Sequence, residues 1–135
     1  TNNSPKSQQK KNKSFSWSFQ SFFVSLGMKI KVFKQGTAPS TTGTSLSGYL
    51  DNVTYQDLIN ALGEPTFDEP SGDDKTQMTW VIEFKYNLYT LYDWKTYDRE
   101  YTETGLTRWN IGSKVNAFDF IEEMETIINE ERKGI

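Results

Sequence analysis

The architecture of this chain is set by residues 54–113, which read TYQDLINALGEPTFDEPSGDDKTQMTWVIEFKYNLYTLYDWKTYDREYTETGLTRWNIGS. The segment opens with the signals of a capped helix. Thr54 is typical of an N-cap, and Asp57 follows three residues later, where the acid of a capping box belongs. Gly63 accepts the left-handed C′ conformation and Pro65 cannot continue a helix. We therefore predict a short helix between Thr54 and Gly63.

An antiparallel hairpin is predicted after an acidic loop at residues 64–74. In the next segment, Met78, Trp80, Ile82 and Phe84 occupy every second position, which is typical of a strand with one apolar face. A short turn at residues 85–87 and a return strand over residues 88–95 complete the hairpin. A third strand is predicted at residues 107–111. The charged connection at residues 97–107 is open to two interpretations, a mobile loop or a recognition loop.

A second helix follows the strands. Its apolar residues recur at helical spacing, which predicts one continuous buried stripe: Ala117, Phe120, Ile121, Met124, Ile127 and Ile128. Asn116 is the predicted N-cap. Together with a short strand at residues 30–33, the element order is β-α-β-β-β-α. This order predicts an α+β fold, an antiparallel sheet with two helices packed on one face, in a single domain over residues 28–135.

Residues 1–27 differ from the rest of the chain in charge. They carry four lysines and no acid, whereas residues 28–135 carry 11 basic and 18 acidic residues. Within this leader, Phe15, Trp17 and Phe19 alternate with serines, as in a half-buried strand. Three interpretations remain open: an added strand or docking arm, a transit-like leader, or a segment outside the core gene product. The third is favoured because Met28 begins a segment that looks like a natural protein start.

The composition excludes several kinds of active site. The chain has no cysteine and no histidine, so disulfides, thiolate metal sites and a His-based nucleophilic triad are all excluded. We expect no catalytic residues, no cofactor and no resident metal. A carboxylate site for a hard cation stays open, but the acidic loop at residues 64–74 lacks the EF-hand spacing and is interpreted as a solvated loop.

Two short motifs supply the candidate interaction residues. In the first, Tyr92 and Trp94 share one strand face, while Asp93 and Lys95 share the other and are expected to satisfy each other's charge. The second motif contains Arg108 and Trp109, residue types that are common in binding hot spots. The alternative for the second motif is that Trp109 packs in the core while Arg108 pairs with a nearby acid.

The chain resembles a group of small, functionally uncharacterised proteins encoded by bacteriophages and other viruses. The resemblance covers roughly residues 44–128 and rests on ordered motifs: Thr44 to Leu50 (TSLSGYL), Thr54-Tyr55-x-x-Leu58, Gly63-Glu64-Pro65-Thr66, Asp74-Lys75-Thr76 with Trp80, Tyr92-Asp93-Trp94-Lys95 and Trp109-x-Ile111-Gly112. The chain departs from the family pattern at the hairpin turn, where Lys85-Tyr86-Asn87 replaces a glycine-containing turn. It also has Asn110 where the family tends to have a histidine. The resemblance implies a viral accessory protein and brings no catalytic residues.

The function predicted from these observations is non-enzymatic protein–protein binding by a viral or phage accessory protein to a host or viral protein. One alternative is single-stranded nucleic-acid binding through the basic leader with Trp94 and Trp109, although the acidic domain disfavours nucleic acid elsewhere. A second alternative is a metal-assisted hydrolase using Asp73, Asp74 and Asp93. No apolar run approaches the roughly 20 residues of a membrane span. We expect a protein of the host cytoplasm or the virion, with a homodimer as one open oligomeric state.

Overall fold

The structure, a computed structural model, describes residues 30–134. The predicted leader, residues 1–27, lies outside the described residues. The elements are β1 (Ile30–Val32), β2 (Ser45–Asp51), α1 (Tyr55–Leu62), β3 (Thr79–Phe84), β4 (Asn87–Tyr92), α2 (Arg99–Thr104), β5 (Arg108–Ser113) and α3 (Phe118–Arg132). The predicted α+β class is confirmed.

The five strands form one sheet in the order β1-β3-β4-β5-β2. The pairs β3–β4, β4–β5 and β2–β5 are antiparallel. In the β2–β5 pair, Leu50 lies opposite Trp109, so the pairing joins two segments that are far apart in the sequence. The two N-terminal strands therefore occupy the two edges of the sheet.

Large aromatic side chains fill the space between the sheet and the helices. Trp80 and Trp109 are fully buried and meet edge to face, with ring centroids 5.7 Å apart. Phe120 of α3 stacks on Tyr89 of β4 at a centroid distance of 4.2 Å. The indole nitrogen of Trp109 donates a hydrogen bond to the carbonyl oxygen of Val53 at 2.8 Å. Each such ring buries a large apolar area, so a few of them build the core of a small domain.

The helices α1 and α3 lie on the same face of the sheet, as predicted, and an ion pair joins them. The Arg132 guanidinium, at the end of α3, donates to Asp57 Oδ2 at 2.7 Å and to the carbonyl oxygen of Asn52 at 2.7 Å. This hydrogen bond from Arg132 is the main reason that the pKa of Asp57 lies below its ordinary value. The predicted capping box is also present, since Asp57 and Thr54 exchange hydrogen bonds at 2.9 and 3.1 Å.

The structure differs from the sequence prediction in the connection between β4 and β5. The predicted strand over residues 88–95 ends at Tyr92, because the chain takes up left-handed backbone conformations at Lys95 (φ 58°) and Tyr97 (φ 56°). The charged connection also contains a helix that was not predicted, α2. Its N-cap is Asp98, whose side chain accepts a hydrogen bond from the backbone nitrogen of Glu100 at 3.1 Å.

Candidate interaction surface

The sheet presents a row of polar and aromatic side chains on the face away from α1 and α3. Residues directly opposite each other in an antiparallel pair point to the same face. Asn110 of β5 lies opposite Tyr92 of β4 on one side and opposite Tyr49 of β2 on the other. These three side chains therefore form a row across three strands, which we call the aromatic row. Tyr49 is 41% exposed, and Tyr92 and Asn110 are half-buried.

Two further side chains support the ends of this row. The Trp94 ring is 47% exposed and meets Tyr92 edge to face at a centroid distance of 6.2 Å. The Arg108 guanidinium lies 4.6 Å from the centroid of the Tyr49 ring. We call the complete set the open-face patch; it consists of Tyr49, Tyr92, Trp94, Arg108 and Asn110.

The charge of Arg108 is already partnered within the sheet. Its Nε donates a hydrogen bond to Asp51 Oδ1 at 2.6 Å, and this contact raises the pKa of Arg108 above its ordinary value. The hydrogen bond also fixes the plane of the guanidinium. Asp51 thus positions Arg108, and Arg108 covers one side of the Tyr49 ring.

Lysines surround the exposed tryptophan. The ammonium groups of Lys75 and Lys95 each lie 5.9 Å from the centroid of the Trp94 ring. Lys75 also lies 3.7 Å from the carboxylate of Asp73. Cation–π contacts at exposed sites contribute about 0.5–1 kcal/mol, so the two lysines restrict the Trp94 ring without burying it.

The predicted pairing of Asp93 with Lys95 is wrong. Asp93 is fully buried, whereas Lys95 is exposed, because the left-handed backbone at Lys95 turns the chain away from the strand path. Asp93 instead accepts four hydrogen bonds. Its Oδ1 accepts hydrogen bonds from the backbone nitrogens of Gln77 (2.8 Å) and Met78 (3.2 Å).

The second oxygen of Asp93 binds the connection between β4 and β5. Oδ2 accepts hydrogen bonds from the hydroxyl groups of Thr96 and Thr102, both at 2.8 Å. A buried carboxylate with four donors is a satisfied structural group. Asp93 is therefore not part of an exposed interaction surface. Because its carboxylate oxygens already accept four hydrogen bonds, it also does not fit the hydrolase alternative as a general base or as a metal ligand.

The structure also shows where Asp73 and Asp74, the other two acids of the hydrolase alternative, lie. Asp73 Oδ1 accepts hydrogen bonds from the Ser71 hydroxyl (2.7 Å) and from the Lys75 backbone nitrogen (3.1 Å). This is the turn that leads into β3, and Asp73 and Asp74 are exposed in it. Within residues 30–134, no group of three or more acids is arranged to hold a metal ion.

Trp109 does not share a surface with Trp94. It is fully buried against Trp80, so its assignment to an interaction surface is wrong. The alternative interpretation is confirmed, because Trp109 packs in the core while Arg108 pairs with Asp51. A stacking platform for nucleobases made of Trp94 and Trp109 together is excluded by the same burial.

Sequence reasoning did not identify Tyr49 and Asn110 as surface residues. Tyr49 lies outside the strands and helices that were predicted from the sequence, and its partner strand comes about sixty residues later along the chain. The alternation of Tyr49 with the buried Leu50 is the local signal that could have placed Tyr49 on the exposed face. No local signal indicates that Asn110 lies between two tyrosines, because that arrangement depends on the order of the strands.

No family model, curated protein or solved structure matches this chain. Among the helices described over residues 30–134, none combines the length and the apolar character needed to cross a membrane.

Proposed function

We propose that this protein acts by non-enzymatic protein–protein binding, and that the open-face patch is the binding surface. The observation that carries the proposal is the exposure of Trp94 and Tyr49 beside an ordered arginine, on a sheet face that α1 and α3 leave uncovered. Tryptophan, tyrosine and arginine are the residue types that dominate binding hot spots.

The energetics of the patch favour this function. A tryptophan buries 150–250 Å² when fully covered, and Trp94 is 47% exposed. Covering the remainder would contribute on the order of 2–3 kcal/mol at about 25 cal/mol per Å². Tyr49 is held by Arg108 and Trp94 contacts Tyr92, so little side-chain entropy is lost when a partner binds.

The resemblance to small phage and viral proteins supports a host or viral protein as the partner. On this proposal the protein is an accessory factor that acts in the cytoplasm of the host cell or in the virion. The domain carries an excess of acids, and an acidic surface disfavours binding to the phosphate backbone of nucleic acid.

A displayed peptide library tests the proposal with the full 135-residue chain. Wild-type protein is used to select binders, and each binder is then measured against Trp94→Ala/Tyr49→Ala and against Tyr86→Ala. Tyr86 is a suitable control because it is 96% exposed in the β3–β4 turn, at the far end of β4 from Tyr92. We expect binders whose affinity falls at least tenfold with the double substitution and is unchanged with the control. Binders that are indifferent to the double substitution, or no binders at all, would contradict the proposal.

A further inference from the structure

The connection between β1 and β2, residues 34–44, begins on the same face of the sheet as the aromatic row. β1 and β2 lie at opposite edges of the sheet, so this connection has to pass over one of its faces. Gln35 lines a groove together with Thr79 of β3. Thr79 lies opposite Tyr92 and therefore points to the face of the aromatic row. We call residues 34–44 the strap.

The end of the strap lies on that face as well. Gly112 of β5 is two residues from Asn110, so a side chain at Gly112 would point to the face of the aromatic row. The position that its β-carbon would take is 3.7 Å from Thr44 Oγ1 and only 2.6 Å from Oγ1 of Thr90, on β4. Thr44 therefore lies over the sheet beside Thr90. Because the strap begins beside β3 and ends over β5, it crosses β4 between them.

The strap crosses side chains that are buried although neither α1 nor α3 covers them. Val81 of β3 and Thr90 of β4 lie opposite each other and are only 1% and 7% exposed. Within the strap, Ala38 and Thr41 are half-buried between exposed neighbours. The strap thus shields a second row of the sheet, next to the aromatic row. We call it the covered row; it consists of Val81, Thr90 and Gly112.

Few contacts hold the strap closed. Each hydrogen bond described for the strap joins two of its own residues at most three positions apart, such as the bond of 3.2 Å from the Thr44 nitrogen to the Thr41 carbonyl oxygen. Within residues 30–134, none joins the strap to β3, β4 or β5. Ala38 and Thr41 are small, so they bury little apolar area. Segments with so few buried contacts open independently of the core.

The open-face patch alone is smaller than a usual protein interface. Stable complexes bury about 800 Å² on each partner. An aromatic ring buries about 150–250 Å² when fully covered, and Trp94 and Tyr49 are 47% and 41% exposed. Their exposed parts together supply on the order of 200 Å². The covered row lies only about 7 Å from the aromatic row along the strands, so a partner of ordinary size reaches it or meets the strap.

We propose that the strap is a cover that opens while the rest of the domain stays folded, and that the partner binds the open form. Opening uncovers Val81 and Thr90 and joins them to the aromatic row in one continuous face. The closed strap then competes with the partner for the covered row, which makes it an autoinhibitory contact. The opening follows from the strap's own contacts, whereas its competition with a partner rests on the proposed function.

Thiol labelling under native conditions tests the opening with the full 135-residue chain. The chain has no cysteine, so Thr90→Cys introduces a single thiol beneath the strap. Leu91→Cys is the matched control, because Leu91 is the next residue of β4 and is fully buried on the face that the helices cover. We expect dithionitrobenzoate to react with Thr90→Cys at least about a hundredfold faster than with Leu91→Cys, which becomes accessible only when the domain unfolds. In urea, the rate should stay nearly constant for Thr90→Cys and rise for Leu91→Cys.

A second substitution shows whether the strap controls this reaction. Ala38→Asp places a charge at a half-buried position of the strap and should speed the labelling of Thr90→Cys about tenfold. Ser40→Asp changes an exposed position of the strap and should leave the rate unchanged. Equal rates for Thr90→Cys and Leu91→Cys, or a rate for Thr90→Cys that does not respond to Ala38→Asp, would overturn the opening.

Binding measurements test the competition. A patch-dependent peptide from the displayed library should bind Ala38→Asp up to about tenfold more tightly than wild type, because the open form is more populated, and should bind Ser40→Asp like wild type. Unchanged or weaker binding to Ala38→Asp would show that the partner takes the closed form, and would overturn the competition. A library without patch-dependent peptides would remove the proposed function and the competition with it, while thiol labelling would still decide the opening.

Discussion

The Thr102 hydroxyl donates a hydrogen bond of 2.8 Å to Oδ2 of Asp93, and this contact joins α2 to the end of β4. Thr102 is the one buried residue of α2, so polar contacts hold this helix where other helices use an apolar stripe. Asp93 directly precedes Trp94, and its other oxygen fixes the backbone at Gln77 and Met78. The position of the exposed tryptophan therefore depends on a buried carboxylate.

The first prediction concerns the two ways of removing the charge of Asp93. Asp93→Ala should lower the free energy of unfolding by about 3 kcal/mol or more, because it leaves buried donors without acceptors. Asp93→Asn should lower it by only about 1 kcal/mol, since the amide oxygen can still accept from the backbone nitrogens. Its NH₂ group can then donate to the threonine hydroxyls, which also act as acceptors. Urea unfolding of both variants measures the difference, and equal losses would show that Asp93 is not the acceptor described above.

The second prediction concerns local opening of the connection between β4 and β5. Thr102→Val keeps the shape of the side chain and removes the hydroxyl donor to Asp93, which should destabilise the protein by about 1–2 kcal/mol. The amides of residues 94–106 should exchange with solvent faster, while the amides of β3 keep most of their protection, because weakly packed segments open independently of the core. Thr104→Val is the control, since Thr104 is exposed. An equal increase in the rate of amide exchange across the whole domain would contradict a local role for Thr102.

The third prediction separates the two tryptophans that the sequence could not distinguish. Trp109→Phe should destabilise the protein by about 2 kcal/mol, because it leaves a void and removes the hydrogen bond to Val53. Trp94→Phe should change stability by less than about 0.5 kcal/mol, as expected for an exposed side chain. Thermal unfolding of the two variants gives the comparison. Similar losses of stability in the two variants would mean that Trp94 also belongs to the core.

The elements that could be predicted from the sequence have strong local signals. The α1 helix was predicted from its capping box, and the β3–β4 hairpin from alternation, because both depend on residues that are close in sequence. The burial of Asp93 was not predicted, since all four of its donors lie outside its own motif, at Gln77, Met78, Thr96 and Thr102. The same reason explains why Tyr49 and Asn110 were missed. The open-face patch is brought together by the order of the strands in the sheet. That order cannot be predicted from the alternation of residues within one segment.

The fourth prediction concerns the β3–β4 turn. Both turn residues, Lys85 and Tyr86, have positive φ angles of 51° and 69°, the region that favours glycine and asparagine in two-residue hairpins. Left-handed backbone costs a residue with a β-carbon roughly 1–2 kcal/mol, and Tyr86 is 96% exposed. Tyr86→Gly should therefore raise the free energy of unfolding by about 0.5–1 kcal/mol after the entropy of glycine is subtracted. Tyr86→Ala keeps the β-carbon and should show no gain, and equal effects of the two substitutions in thermal unfolding would refute this explanation.

The fifth prediction is a pH dependence at the contact between α1 and α3. The hydrogen bond from Arg132 lowers the pKa of Asp57 from its ordinary value of 3.8, so folding favours the ionised carboxylate. Its contribution is complete above the unfolded pKa and is lost as pH falls through the lower folded pKa. Asp57→Asn should therefore be less stable than wild type by about 1 kcal/mol at pH 6, and the difference should shrink as the pH is lowered from 4 towards 2. Denaturant unfolding across this range measures it, with Asp119→Asn, an exposed acid 3.6 Å from Lys85, as the control. A difference that stays constant with pH would show that Asp57 stabilises the fold by packing and not by its charge.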